Sequence, residues 1–197
     1  ALIEAASNTL LHGCNNTVIP DGVKVIATGA FSYCSGLTTV TIPNSVTSIG
    51  NEAFQGCSFL TSLALGNGLT TIGSNAFSGC SGLTSVTIPA SVLSIGEGAL
   101  AGCTGLQSIQ VESGNTKYDS RNNCNAIIET SSNSLIVGCN KSVIPSSVTS
   151  IGKDAFKGCN ELTSVIIASG VNSIGEGAFS GCSGLTSVTL PESVTSI

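Results

Sequence analysis

Cysteine returns along this chain at a fixed interval of 23 residues. The interval separates the members of two runs: Cys34, Cys57, Cys80, Cys103, and then Cys159, Cys182. Around these cysteines the phrase GCSGLTSVTIP at 79–89 returns as GCSGLTSVTLP at 181–191. A unit this short cannot bury an apolar face alone, so copies must stack into a solenoid. The period therefore predicts a single repeat domain over residues 1–197, with one coil per unit.

The units are counted from a recurring Ile-Pro position. Six ordinary units and one partial unit follow: 19–41, 42–64, 65–87, 88–110, 144–166, 167–189, and 190–197. Residues 111–143 form an extended unit of 33 residues between them. Residues 1–20 match 126–145 at an offset of 125, so the extended unit itself recurs. We expect the chain to be an excerpt of a longer array whose uncapped ends fray or associate end to end.

Each ordinary unit carries two strand signals. In one unit Leu83, Val86 and Ile88 follow an L-x-x-L-x-L spacing, where alternation turns Val86 and Ile88 inward. Pro89 ends this strand because proline cannot donate to a β-ladder. Residues 91–96 form a second, weaker extended segment, and Phe77 in the preceding unit is placed to enter the core. The sequence predicts a mainly β solenoid of short parallel strands with few helices.

These residues resemble the BspA-like type of leucine-rich repeat. The family pattern, L-x-x-L-x-L-P followed by V-x-x-I-G-x-x-A-F-x-x-C, is met nearly residue for residue at Leu37–Cys57 and Leu60–Cys80. The chain departs from it at Gly66, at Leu100 and throughout 111–125. The resemblance implies a curved right-handed β-solenoid on a secreted or surface-anchored protein of host-associated microbes. Adhesion to host proteins is the function that the resemblance implies.

The cysteines admit two interpretations. One cysteine per coil places neighbouring thiols about 4.8 Å apart and pointing the same way, which favours buried, reduced side chains over disulfides or a metal site. Cys124 and Cys139 differ, because a hairpin of 125–129 and 134–138 that pairs Glu129 with Ser134 places them opposite each other. We state a disulfide there as a hypothesis, given the exported context that the resemblance implies.

The sequence contains no recognisable catalytic constellation. His12 is the single histidine, its counterpart at the 125-residue offset is Val137, and no GxSxG motif accompanies it. Neither a phosphate-binding glycine loop nor a calcium-loop spacing is found. Charged residues make up 9% of the chain and its net charge is -5, which argues against nucleic acid as a partner. No apolar run reaches 18 residues, so we expect no membrane-spanning segment, and we predict no enzyme activity, cofactor or metal.

The outward positions of the longer strands predict a small-residue, nearly uncharged surface, which we call the strand face. Its candidate binding residues are Thr39, Thr41, Ser62, Ser85, Thr87, Ser108, Gln110, Ser164, Ser187, Thr189. No aromatic or arginine anchor lies among them, so we expect broad contact summed over many coils. We expect any local hot spot in the extended unit, at Lys117, Tyr118 and Arg121 on an exposed hairpin.

Two functions from different classes remain open. The first is a secreted or cell-surface interaction module that adheres to extracellular proteins, such as host matrix or plasma proteins. The second is a passive stalk that holds another domain away from the cell, since an unremarkable surface is typical of a spacer. The family resemblance favours the first and the surface chemistry alone favours the second. Asn15 and Asn140 also begin formal N-glycosylation sequons at matching positions of the two copies.

Overall fold

Short strands carry almost all of the regular structure in the computed structural model, which describes all 197 residues. The strands are β1 Leu2–Glu4, β2 Thr9–His12, β3 Val25–Ile26, β4 Thr39–Thr41, β5 Ser48–Ile49, β6 Ser62–Ala64, β7 Thr71–Ile72, β8 Ser85–Ile88, β9 Ser94–Ile95, β10 Ser108–Val111, β11 Tyr118–Asp119, β12 Ile127–Glu129, β13 Ser134–Val137, β14 Ser150–Ile151, β15 Ser164–Ile166, β16 Ser173–Ile174 and β17 Ser187–Thr189. The one helical segment is a 3-10 turn at Arg121–Asn123. The predicted mainly β class is confirmed. The structure contains no helical segment with the length and hydrophobicity of a membrane span.

The longer strands of successive units pair in parallel. Thr39 lies opposite Ser62, Ser85 opposite Ser108, and Ser164 opposite Ser187, each one repeat interval apart. Within β8, Val86 and Ile88 are buried while Ser85 and Thr87 are exposed, as the alternation predicts. The paired strands form three separate two-stranded sheets, β4 with β6, β8 with β10, and β15 with β17.

The two-residue strands form most of two longer ladders. β3, β5, β7 and β9 pair in sequence, and β13, β14 and β16 continue the same arrangement after the extended unit. The two-residue strands of the ordinary units present an isoleucine inward, such as Ile26 and Ile49, which are fully buried, and β13 presents Leu135. Threonine hydroxyls just before the strands donate to the previous coil, as Thr70 Oγ1 does to the Thr47 carbonyl at 2.9 Å. Each ordinary unit therefore closes one coil with a longer strand and a two-residue strand.

Phenylalanines and cysteines form two internal columns. The rings of Phe31, Phe54 and Phe77 stack with centroid distances of 4.8 and 5.2 Å. Cysteine thiols donate to phenylalanine carbonyls of the previous coil, and Cys80 Sγ lies 3.2 Å from the Phe54 oxygen. Five of the six column cysteines are buried and Cys34 is half-buried, so the predicted buried column is confirmed for five positions. Stacked rings and thiols leave little room for size changes inside a coil.

The extended unit enters the solenoid on one side only. At the turn before the column cysteine, the Gly102 amide donates to the Lys157 carbonyl at 2.8 Å. Units 88–110 and 144–166 are therefore direct neighbours at this turn, although 33 residues separate them in sequence. On the opposite side β11, β12 and β13 fill the space between the two units as an antiparallel sheet that joins β14.

The hairpin of the extended unit occurs twice with one geometry. β12 pairs with β13 through Glu129 and Ser134, then a β-bulge shifts the register so that Ile127 lies opposite Val137. β1 and β2 repeat this pairing and the same bulge 125 residues earlier, with Leu2 opposite His12. A bulge inserts one extra residue in one strand and bends it. The sequence match between 1–20 and 126–145 therefore corresponds to a repeated structural unit.

Candidate binding surfaces

The strand face is exposed but discontinuous. Nine of its ten predicted residues are exposed to solvent and Ser108 is half-buried. The backbone beneath it is not one continuous ladder, because the longer strands divide into three two-stranded sheets. One interruption has a clear cause, since the extended unit contributes no longer strand between β10 and β15. Whether these residues bind a partner stays a prediction.

Tyr118 is buried, contrary to the exposed position expected for a hot spot. Its side chain is 4% exposed, and its hydroxyl accepts a hydrogen bond from the Ile95 amide at 3.1 Å. Other two-residue strands give this amide a backbone partner in the next coil, as Ile174 does with the Ser196 carbonyl. The Tyr118 hydroxyl thus supplies the hydrogen-bond partner of the Ile95 amide at the point where the ordinary units give way to the extended unit. A buried tyrosine that completes a ladder is not available to anchor a partner.

Lys117 and Arg121 are committed to contacts inside the extended unit. Lys117 Nζ lies 2.8 Å from Glu129 Oε1, and this hydrogen bond lowers the pKa of Glu129. Arg121 contacts Asp119 through two nitrogens, and its Nη1 donates to Asn133 Oδ1 at 2.8 Å. A partner would have to compete with these bonds. A hot spot at these two residues stays a prediction.

A polar groove of about 490 Å³ lies beside the Arg121–Asp119 pair. Gln110, Glu112 and residues of the 3-10 turn line it. Groups of three or more histidine, cysteine or acidic side chains that would suit a metal ion are not found anywhere in the chain. The single histidine, His12, is exposed at the end of β2. The groove therefore offers hydrogen-bonding groups but no cluster of side chains that would suit a metal ion.

Asn140 joins two units that are distant in sequence, a role the sequence analysis missed. Its side-chain nitrogen donates to the Thr104 carbonyl at 2.8 Å, and its side-chain oxygen accepts from the Glu161 amide at 3.1 Å. It is the one buried polar residue of the chain, at 5% exposure. A sequon asparagine held in this way is not accessible for glycosylation. The available signal was its match with Asn15, because an asparagine retained in both copies at a coil junction indicates a shared contact.

The Asn140→Ala variant is expected to lose about 2 kcal/mol of unfolding free energy, because the Thr104 carbonyl and the Glu161 amide lose their buried partner. Asn15→Ala is the matched control. Asn15 holds the same repeat position but is exposed and makes one side-chain bond, accepting from the Gly36 amide at 3.2 Å. Urea unfolding followed by circular dichroism measures both. Equal losses in the two variants would contradict the joining role of Asn140.

Cys124 and Cys139 do not lie in the direct pairing on which the disulfide hypothesis depended. The hairpin pairs Glu129 with Ser134 as predicted, but the bulge at Ile127 moves Cys124 one residue out of register with Cys139. The 3-10 turn then ends at Cys124 with helical backbone angles. Both residues are buried free thiols, and Cys139 Sγ donates to the Asn125 carbonyl at 3.3 Å. A disulfide between them stays a prediction and would have to span the bulge.

Thiol reactivity is expected to be confined to one cysteine of the folded chain. Cys14 is exposed, and a hydrogen bond from Thr17 lowers its pKa. Burial raises the pKa of Cys103 to about 12 and also raises that of Cys159. Because the thiolate is the nucleophile, iodoacetamide at pH 7.5 should label Cys14 first. Peptide mass spectrometry checks this result, and rapid labelling of Cys103 in folded protein would contradict it.

The same reagent counts the free thiols after unfolding without reductant. Nine labelled cysteines would rule out the Cys124–Cys139 disulfide, whereas seven, with these two unlabelled, would establish it. Cys14 labelling before unfolding serves as the internal control.

Comparison with known proteins accounts for this repeat geometry. The family model for the BspA type leucine rich repeat region matches residues 7–128 and 127–197. The chain belongs to the BspA-type leucine-rich repeat family. Proteins built from such repeats are structural or interaction modules. No curated protein matches the sequence significantly.

Two solved structures show how the BspA-type solenoid compares with its relatives. The pneumococcal vaccine antigen PcpA superposes with a TM-score of 0.78 at 24% identity, over 87% of this chain and 44% of that one. A leucine-rich repeat protein from Eubacterium ventriosum gives a TM-score of 0.69 at 27% identity, over 90% of this chain and 54% of that one. The chain thus spans about half the length of these solved relatives.

Proposed function

We propose that this protein is a non-enzymatic adhesion module, secreted or displayed at the cell surface, that contacts extracellular host or matrix proteins through its strand face. One observation carries the proposal. The outward residues of the six longer strands are uncharged and mostly exposed, all but Gln110 and Ile166 are small, and they recur at one position of each ordinary coil. Repetition allows contacts that are weak at one coil to add along the surface.

The family supports this function. BspA-type repeats form interaction surfaces, and one solved relative of similar fold is described as a vaccine antigen of pneumococcus. That description belongs to the relative. For this chain, a secreted or surface location and adhesion to host proteins are part of the proposal.

A passive spacer is the alternative function, and the charge distribution favours it. Lys117, Arg121, Lys153 and Lys157 are each paired with an acidic residue. The strand face itself carries no aromatic or arginine side chain, and these are the types that usually concentrate binding energy. A stalk needs only a stable solenoid and a soluble surface.

Binding of the purified protein to immobilised matrix and plasma proteins tests the proposal. The comparison variant carries Thr41→Asp, Thr87→Asp and Thr189→Asp, which place charge on three exposed strand positions. Saturable binding that falls at least tenfold in the variant is the expected result. Binding that persists in the variant would move the site to the extended unit. A lack of binding by the parent protein to every member of the panel would favour the spacer.

A further inference from the structure

The first longer strand after each hairpin has one unpaired edge. β4 pairs with β6 and β15 pairs with β17, each on the side facing the following unit. No strand pairs with β4 or β15 on the side facing the preceding hairpin. These two edges occupy equivalent positions in the two copies of the repeated structural unit.

The direction of the free backbone groups follows from the bonds on the paired side. The Thr163 carbonyl accepts from the Thr186 amide of the next unit at 3.0 Å. Backbone groups alternate in direction along a strand, so the N–H and C=O groups of Ser164 and Ile166 point to the unpaired side. Thr39 and Thr41 are placed in the same way, since the Thr38 carbonyl accepts from the Thr61 amide at 2.9 Å.

Residues 142–144, which lie beside β15 on its unpaired side, do not close this edge. The Val143 amide donates to the Cys124 carbonyl at 2.9 Å, and Ser142 Oγ accepts from the Cys139 amide at 2.7 Å. The first bond holds this segment against Cys124, the residue that follows the 3-10 turn. A groove of about 350 Å³ remains between that segment and β15. Its volume lies within the roughly 300–1,000 Å³ of typical ligand clefts.

Both grooves are uncharged. The β15 groove has a mainly apolar lining, whereas the β4 groove is lined mainly by asparagine and threonine. Val143 and Ile166 on the rim of the β15 groove are 67% and 78% exposed. The β4 groove has a volume of about 370 Å³ and carries Val18, which is 84% exposed. No acidic or basic side chain lines either groove. Lysine and proline commonly protect open strand edges, and neither residue lies on the Ser164–Ile166 edge.

We infer that each groove binds an extended, uncharged peptide segment of a partner protein, which adds as a strand to β4 or β15. Backbone hydrogen bonds to Thr39 and Thr41 or to Ser164 and Ile166 supply the affinity, and the uncharged lining selects β-branched or small side chains over charged ones. The inference rests on the proposed function, for which it names a recognition mode. It places two binding sites on the chain, 125 residues apart in sequence.

The test uses a synthetic peptide of sequence GLTSVTIP, residues 82–89 of this chain. Its strand region, Ser85–Ile88, pairs with β10 in the folded protein, so the peptide has a suitable strand sequence. Hydrogen exchange of the protein is measured by NMR with and without peptide. We expect peptide binding to slow exchange at least tenfold at the amides of Ser164, Ile166, Thr39 and Thr41.

Two N-methylated peptides provide the chemical control. One is methylated at Leu83, Ser85 and Thr87 and the other at Thr84, Val86 and Ile88, so each lacks the donors of one strand edge. Strand addition requires one analogue to bind and the other to fail. Equal binding of both analogues, or an absence of slowed exchange with the parent peptide, would overturn the inference.

The protein variant Ile166→Lys adds a protecting charge to the β15 edge. It should weaken peptide binding at β15 at least tenfold while leaving the β4 edge unchanged. Leu93→Lys is the matched control, because Leu93 is 53% exposed and lies outside both grooves. Concentration-dependent self-association that Ile166→Lys abolishes would identify a second copy of this chain as the occupant and overturn the choice of partner. Binding to the protein panel is scored separately, so failure of peptide addition is distinguishable from failure of the adhesion proposal.

Discussion

The Phe54→Ala variant is expected to lose about 4 kcal/mol of unfolding free energy. Phe54 is fully buried, and its ring lies between those of Phe31 and Phe77 at 4.8 and 5.2 Å. Truncation removes apolar contacts on both faces of the ring and leaves a cavity that neighbouring coils, held by their ladders, cannot close. Urea unfolding followed by circular dichroism measures the loss. A flat native baseline followed by a single transition would show that all coils still unfold cooperatively.

Phe54→Leu is the matched control for the cavity. Leu100 holds the same repeat position in unit 88–110, so the solenoid accommodates leucine there. We expect a loss of roughly 1.5 kcal/mol, because leucine retains most of the buried volume. Equal losses for alanine and leucine would show that ring stacking, rather than the filling of the coil, determines the stability of this column.

The Gly96→Ala variant is expected to lose about 3 kcal/mol, the upper part of the range for overpacked sites. A Cβ at this position would lie 2.3 Å from the backbone nitrogen of Ser74 in the previous coil. Backbone atoms in a hydrogen-bonded ladder cannot move aside as a flexible side chain does. The added methyl group is expected to force two coils apart at their two-residue strands. Urea titration measures the resulting loss of unfolding free energy.

Gly152→Ala is the control that separates the close approach of coils from the change in backbone flexibility that any Gly→Ala substitution brings. Gly152 occupies the same repeat position, but its previous neighbour is the bulged strand β13. A Cβ there would meet the Leu135 carbonyl at 3.3 Å and Ile136 Cα at 3.4 Å. We expect less than 1 kcal/mol of change, within the range for tolerated substitutions. A loss at Gly152 equal to that at Gly96 would disprove the role of coil spacing.

Irregular units, rather than ordinary ones, create the distinctive surfaces of this solenoid. Ordinary coils pair their longer strands two by two and expose a row made mainly of serine and threonine. The extended unit interrupts that row, opens the polar groove beside Arg121 and leaves an edge of β15 unpaired. The binding panel therefore tests the exposed side chains of the strand face, whereas the peptide experiments test the free backbone groups of β4 and β15 within that face.

The candidate site was only partly predictable from sequence. Exposure of Thr87 and burial of Val86 followed from strand alternation, and the Glu129–Ser134 pairing followed from hairpin length. The burial of Tyr118 did not, because a tyrosine beside charged residues in a unique segment is as consistent with a surface role. Cys124 was placed wrongly because a bulge shifts register by one residue without a glycine or proline to mark it.

The sequence by itself determined the coil. A fixed interval of 23 residues places equivalent side chains in register, since each coil contacts only its neighbours, and this specified the strands, the phenylalanine column and the cysteine column. Only the tertiary structure decided how residues 111–143 enter the stack. The units on either side of the extended unit are ten residues shorter, so the repeat register does not specify its position. Its arrangement is determined by contacts between distant units, from Gly102 to Lys157 and from Asn140 to Thr104.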